Sequence, residues 1–308
     1  MSWSHMDATL RQMAAYIAVA RAASFTAAAR QMHLSQSSLS RAVADLERQF
    51  GVQLLERDTR NVQLTAAGAE ALRIAEQIVG SHRSGMRELS RYLAGETGVV
   101  AIATLPSVAA RLLPPVISAF HDRLPDVSVR ILDGLEGVAL DHVLSGAAEF
   151  AVTTVTDSRL RLEHEALVKD QFFAVLPPGH PLASRPEVTW SELAREPFLA
   201  VGPDSSVRRL TDAVFRDAGL DVPPAAEATS VATVGGLVSA GLGVTAMPAL
   251  VLPLMGTELA CRPLVEPILE RRLGIVHQLR RTPPVATRRF IDLLRERRVA
   301  LPDGVAWD

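Results

Sequence analysis

Apolar side chains recur every three to four residues through the first fifty positions. Leu10, Met13, Ala14 and Ile17 predict one helix. Phe25, Ala28, Ala29 and Met32 predict a second, capped by Ser24 or Thr26. Leu39, Val43, Leu46 and Phe50, spaced 4-3-4, predict a third with Ser35 as its N-cap. Only His33 and Leu34 are left for the second connection, so it must be a tight turn. Gln36, Ser37, Ser40, Arg41 and Ala44 fall on a different face of the third helix, about 120° from its apolar stripe at ~100° per residue. The alanines of the second helix let the third cross it closely. This is the layout of a helix-turn-helix whose second helix enters a DNA major groove. Next, "GVQLLERDTRNVQLT" (51–65) alternates apolar and polar around a turn at 58–61, which predicts a two-stranded wing carrying Arg57 and Arg60.

From Thr65 to about Gly95 there is no proline. Leu72, Ala75, Val79, His82, Met86, Leu89 and Leu93 repeat at 3-4-3-4-3-4, an a/d seam. It predicts a linker helix that pairs two chains and spaces two recognition helices for a two-fold operator, with a helix packed on its own domain as the alternative. Gly80 and Gly85 soften this helix. Beyond it the pattern reads strand (99–103), helix (107–123), strand (127–132), helix (136–145), strand (150–154), so a parallel sheet with helices on its faces. A strand at "FFAVLPPGHPLA" (172–183) follows, then a helix near Trp190, strand "FLAVG" (198–202) and a helix from Ser205. The chain ends with strand "RRLGIVHQLR" (271–280) and a basic helix over 284–298.

Composition narrows the function. The net charge is −2, so any nucleic-acid surface must be local. Residues 1–65 hold seven Arg against five acids, +2, which leaves −4 for the rest; the basic excess lies where the helix-turn-helix lies. The single cysteine, Cys261, permits no internal disulfide and no cysteine metal cluster, as expected of a reducing cytoplasm. The N-terminus lacks the charged-then-apolar order of a signal peptide. Residues 228–257 carry no charge, but Gly235, Gly236, Gly241, Gly243, Pro248 and Pro253 break the run into helix, stop, buried strand and helix, so no membrane span is expected. No HExxH, GxSxG or GxGxxG motif occurs, so neither an enzyme nor a bound metal is expected.

"SFTAAARQMHLSQSSLSRAVADLERQFGVQLLERDTRNVQLTAAG" resembles the LysR-type transcriptional regulators, and the resemblance continues to about Arg298. Ala23, Ser37 and Leu55 depart from the residues usual there, without loss of a polar group needed at DNA. The expected fold is an α+β winged helix-turn-helix (1–65), a linker and dimerisation helix (66–95) and an α/β effector-binding domain (96–308). The last resembles a periplasmic-binding-protein fold, with lobe I about 96–166 and 268–300 and lobe II about 167–267. Gln36, Ser37, Ser38 and Ser40, at or near the recognition-helix start beside its cap Ser35, would reach base edges. Gln can pair with adenine, and Arg41 would combine guanine and phosphate contact. Thr26 suits a phosphate, and Arg57 and Arg60 suit the backbone or minor groove. The resemblance implies double-stranded operator DNA, a homodimer or homotetramer, RNA polymerase and a small-molecule effector as partners.

Open α/β sheets bind ligands beyond the carboxyl ends of their strands. Here those ends run into hydroxyl-rich helix starts at Thr104, Pro106 and Ser107, at Pro203, Ser205 and Ser206, and at Ser230 and Val231, all anion-friendly. The resemblance places Ser107 at the commonest effector contact, Leu135 and Glu136 at the cleft, and Thr154 at the crossover. Thr154 stands where some relatives carry a cation, and Glu136 adds negative charge at the mouth. A single carboxylate, a neutral ring or an amine all fit the sequence. The rival readings are a ligand-independent regulator, a solute-binding protein, which the N-terminal module disfavours, and an enzyme.

Overall fold

The computed structural model describes residues 8–57, 62–154, 162–256, 258–296 and 300–308. Two compact units emerge, Met1–Arg91 and Tyr92–Asp308.

In the first unit, Thr9 starts α1 (Leu10–Ala22) with a reciprocal cap: its hydroxyl accepts from the Gln12 N–H at 3.2 Å, and its own N–H donates to Gln12 Oε1 at 2.8 Å. Ser24, not Thr26, caps α2 (Phe25–Gln31), and Ser35 caps α3 (Gln36–Phe50). Strands β1 (Leu55–Arg57) and β2 (Val62–Leu64) pair antiparallel as the wing. Its expected turn at 58–61, with Arg60, lies outside the described residues. Glu47 on α3 ties the wing down, its Oε1 accepting from the Leu54 and Leu55 N–H groups at 2.9 and 3.1 Å.

The buried face of α1 is Ala15, Tyr16 and Val19; the predicted stripe is rotated from it, with Met13 and Ile17 half-buried and Leu10 exposed. The reason is a distant contact. Tyr16 lies fully buried and donates its hydroxyl to Gly68 O at 2.6 Å, 52 positions away. Burial and the nearby Glu47 push its phenol up to about 12, so it remains a donor across the neutral range. Thr65 begins α4 (Ala66–Leu93): its hydroxyl donates to Gln53 O and accepts from the Gly68 N–H, both at 2.8 Å. A Cβ at Gly68 would run into the Leu54 carbonyl, so the helix start and the wing meet backbone to backbone.

The second unit opens with β3 (Gly98–Thr104), α5 (Pro106–Arg111), α6 (Leu113–Arg123), β4 (Val127–Asp133), α7 (Glu136–Ser145) and β5 (Phe150–Thr153). Strands β4, β3 and β5 run parallel. The single helix expected over 107–123 is two, because Pro114 and Pro115 cannot donate the amides that would carry the hydrogen-bond ladder past Leu112. Next come β6 (Leu162–Leu176), β7 (Val188–Thr189), α8 (Trp190–Leu193), β8 (Leu199–Val201), α9 (Ser206–Asp217), β9 (Ala226–Ala228) and α10 (Val231–Ser239). Last are β10 (Thr245–Pro248), β11 (Ala260–Val265), β12 (Glu270–Gln278), α11 (Val285–Arg295) and β13 (Val305–Trp307).

Strand β6 starts ten positions before the predicted Phe172. Its residues 162–171 pair antiparallel with β12, while 172–176 pair with β10 and β11. One strand therefore serves both lobes, and the expected boundary at 166/167 falls inside it. Its polar first half, "LEHEALVKDQ", hid it from a search for apolar runs. In the first lobe, Phe120, Phe150 and Phe290 pack with Val100, Ile102 and Ile275. In the second, Trp190, Phe198 and Phe215 pack edge to face. The uncharged run forms α10, a left-handed stop at Gly241, buried β10 and a 3-10 turn at Ala249–Leu254 instead of a second α-helix. Among the described residues no helix is long and apolar enough to cross a membrane.

Candidate functional site

The recognition-helix surface is assembled locally. Ala28 and Ala29 are buried where α2 meets its neighbours, and Leu39, Val43 and Leu46 bury the inner side of α3. That leaves Gln36, Ser37, Ser38 and Arg41 exposed on the outer side, with Ser40 half-buried. Two of the expected DNA contacts are committed to the fold. Ser35 Oγ accepts from the Ser38 N–H at 3.1 Å and lies 2.8 Å from the Ser38 hydroxyl. Exposed Thr26 donates to Gln36 Oε1 at 3.2 Å and so orients that amide. Arg57 ends β1.

The expected linker seam divides. Leu72 and Ala75 belong to the core of the first unit, and Val79 is buried, because the same helix that leaves the domain must first cover it. His82, Met86, Leu89 and Leu93 are exposed. Ile74 and Ile78, outside the predicted seam, are exposed too, and with Met13, Phe50 and Val52 they line an apolar groove of about 590 Å³.

In the second unit a cavity of about 370 Å³ opens between the lobes, within the size range of small-molecule sites. Leu105, Pro106 and Ser107 line it from α5, Leu135 and Glu136 from α7, Ser205, Ser206 and Val207 from α9, and Thr229, Ser230, Val231 and Ala232 from α10. Val251, Leu254 and Arg271 complete the wall. The strands end here because each hands over to a helix at its carboxyl edge, and the helices arrive N-terminus first.

Three expected residues do not line this cavity. The Thr104 hydroxyl is spent on Val152 O at 2.8 Å, inside the sheet. Pro203 is exposed ahead of the α9 cap. Thr154 faces a second cavity of about 440 Å³, shared with Ser206, Arg209, Arg271 and Arg272. Glu136 does line the first cavity but is no free charge at its mouth. It is buried, its Oε2 accepts from Thr154 Oγ1 at 2.7 Å, and Arg209 of α9 forms an ion pair with the same oxygen. A carboxylate at that depth requires such a partner.

Arg271 was not anticipated. It is 3% exposed, and its Nη2 donates to Asp170 Oδ2 at 2.5 Å and to Ser107 Oγ at 3.2 Å. Asp170, on β6 and fully buried, accepts from the Leu250 N–H at 3.0 Å through its other oxygen. Burial pushes the Asp170 carboxyl up from its ordinary value, while Arg271 and the Leu250 and Ala249 amides pull it down. The only warning in the sequence is alternation: Arg271 occupies an inward position on β12, between exposed Glu270 and Arg272. Among the described residues no group of three His, Cys, Asp or Glu could hold a metal ion. Burial pushes the Cys261 thiol up from its usual range.

Two sequence families match. Residues 10–69 fit the bacterial regulatory helix-turn-helix protein, lysR family, and residues 93–298 fit the LysR substrate binding domain. An uncharacterized HTH-type transcriptional regulator of Escherichia coli K12, YbhD, is 30% identical over 290 residues, 94% of this chain and 92% of its own. The crystal structure of full-length CbnR with its target DNA matches in fold with a TM-score of 0.77 at 24% identity, over 94% of this chain and 99% of CbnR. The oxidized form of Corynebacterium glutamicum OxyR matches with a TM-score of 0.72 at 26% identity, over 95% of this chain and 93% of OxyR. The chain belongs to the LysR family of DNA-binding transcriptional regulators.

Proposed function

We propose that this regulator reads an operator with the outer face of α3 and is switched by a small effector held in the cavity between the lobes of its C-terminal unit. The DNA half of this reading is carried by one observation. The polar face Gln36, Ser37, Ser38 and Arg41 is left open while Leu39, Val43 and Leu46 bury the opposite face of the same helix. A face of that chemistry fits base edges and phosphates. Arg57 and Arg60 of the wing would follow the backbone. The exposed apolar positions of α4 and the groove beside Ile74 and Ile78 favour a homodimer, or a tetramer built from dimers, in which a second copy covers them. Cytoplasmic location and contact with RNA polymerase belong to the same reading.

The test is operator binding by fluorescence anisotropy across a salt series. Arg41→Ala and Gln36→Ala each weaken specific binding by about 1–3 kcal/mol if they read bases. If Arg41 instead holds a phosphate, its removal weakens all sequences alike and lowers the salt slope by about one. Wild-type affinity in both variants would remove α3 from the interface.

OxyR in its oxidized form raises a redox reading. Against it, this chain has one cysteine, on β11 and not among the described cavity-lining residues, and burial pushes its thiol up from the usual range. A bound effector is the better fit.

A further inference from the structure

Resting on the reading of the cavity as the effector site, we propose that it selects a small monocarboxylate with a compact apolar body, anchored by Arg271 and Ser107. The reasoning is a census of what the walls can offer. Helices α7, α9 and α10, of 10, 12 and 9 residues, all begin at the cavity. Each N-terminus carries roughly half a positive charge. The N-cap side chains of α7 and α10 make no cap hydrogen bond, so those amides are not satisfied by a side chain.

Arg271 adds an independent pointer. It is buried and lines the cavity, yet its Nε has no hydrogen-bond partner. A buried guanidinium donor left unpaired costs stability unless something else completes it. Asp170 holds one edge of the group and Leu250 holds Asp170, so Arg271 is a fixed fork and not a swinging side chain. Ser107 accepts from Arg271. Its hydroxyl proton is therefore free to point at a ligand. Ser206 is buried and lines the same cavity.

The negative side of the census is short. Among the described residues of the wall Glu136 is the only acid, and Arg209 and Thr154 already occupy it. An ammonium ligand would have to displace both. Beside the hydroxyls of Ser205, Ser206, Thr229 and Ser230, the wall is apolar, with Leu105, Leu135, Val207, Val231, Val251 and Leu254 its larger members. Arg271 is the one cation among the described lining residues, which is why a single acidic group with an apolar body fits.

The test uses the full chain and two matched triplets: benzoate, benzyl alcohol and benzylamine, and hexanoate, hexanol and hexylamine. Thermal shift and calorimetry are run on wild type, Ser107→Ala, Arg271→Lys and the double variant Arg271→Met/Asp170→Asn, which leaves no lone buried charge. Circular dichroism checks the fold of each. At least one carboxylate should stabilise wild type more than its alcohol and amine. Ser107→Ala should weaken it about tenfold, the double variant roughly a hundredfold or more, and Arg271→Lys should fall between. Preference for an alcohol or amine overturns the ligand class while leaving the cavity as the effector site. Equal carboxylate binding in the double variant overturns the role of Arg271. Silence of both triplets on wild type overturns the effector reading of the cavity and this proposal with it.

Discussion

The recognition helix and the lobe cavity both present hydroxyls and an arginine, yet they are built in opposite ways. Gln36, Ser37, Ser38 and Arg41 come from a single stretch of helix, and their side chains stand in solvent. Ser107 and Arg271 meet from 164 positions apart and are almost wholly buried. At the first site, the polar groups are exposed and touch only neighbouring exposed hydroxyls, so Gln36 and Arg41 can be changed with little consequence for folding. At the second, the proposed binding groups are also structural ones, because a buried charge must be satisfied by the protein before any ligand arrives. Function and stability are separable on α3 and coupled in the cavity.

That difference is open to direct attack. The largest effect is expected from Arg271→Ala, which strands the Asp170 carboxylate at 0% exposure and should destabilise the C-terminal unit by about 3–5 kcal/mol. Urea denaturation followed by tryptophan fluorescence reads this out. A loss under 1 kcal/mol would mean that the pair is not structural, and the contrast between the sites would vanish. Next in size are Gln36→Ala and Arg41→Ala, at about 1–3 kcal/mol of operator affinity. Both should unfold at the wild-type midpoint. A comparable fall in stability would show that the DNA face is coupled to the core after all.

Gly68→Ala probes the same divide from inside the first unit. Its added methyl meets the Leu54 carbonyl, and overpacking of this kind costs about 1–3 kcal/mol. An unchanged melting temperature would show that α4 and the wing can part without penalty. The smallest effect belongs to Ala23→Gly. Ala23 closes α1 at φ 48°, a left-handed geometry that favours glycine. Relief of that strain should stabilise the unit by about 1 kcal/mol or less, and a loss would mean that the alanine methyl is packed usefully.

Legibility followed the same line. Helix caps at Ser24 and Ser35, the two-residue turn and the buried stripe Leu39, Val43 and Leu46 are short-range features, and local spacing predicts them. The buried face of α1 departs from its apolar spacing because Tyr16 is drawn inward by Gly68, and no periodicity records a partner 52 positions away. The linker stripe divides for a related reason. One helix does two jobs, so Ala75 covers its own domain while Ile74 and Ile78 stay exposed. In the cavity, the helix starts at Ser107, Glu136, Ser206 and Ser230 were readable, since strand ends feed helix N-termini in this architecture. Their electrostatics were not.

From the order of its residues alone, this chain determined a helix-turn-helix with an open polar face, a long linker helix and alternating strands and helices beyond it. Those follow from contacts within a few turns of chain, where backbone geometry dictates which side chains share a face. Which of its charges are spent and which are left was decided by the tertiary structure alone. Glu136 is silenced by Arg209, Thr154 is turned to another cavity, and Arg271 is planted behind Ser107. Coulombic pairing depends on distance in space and on burial, and neither is written in sequence separation.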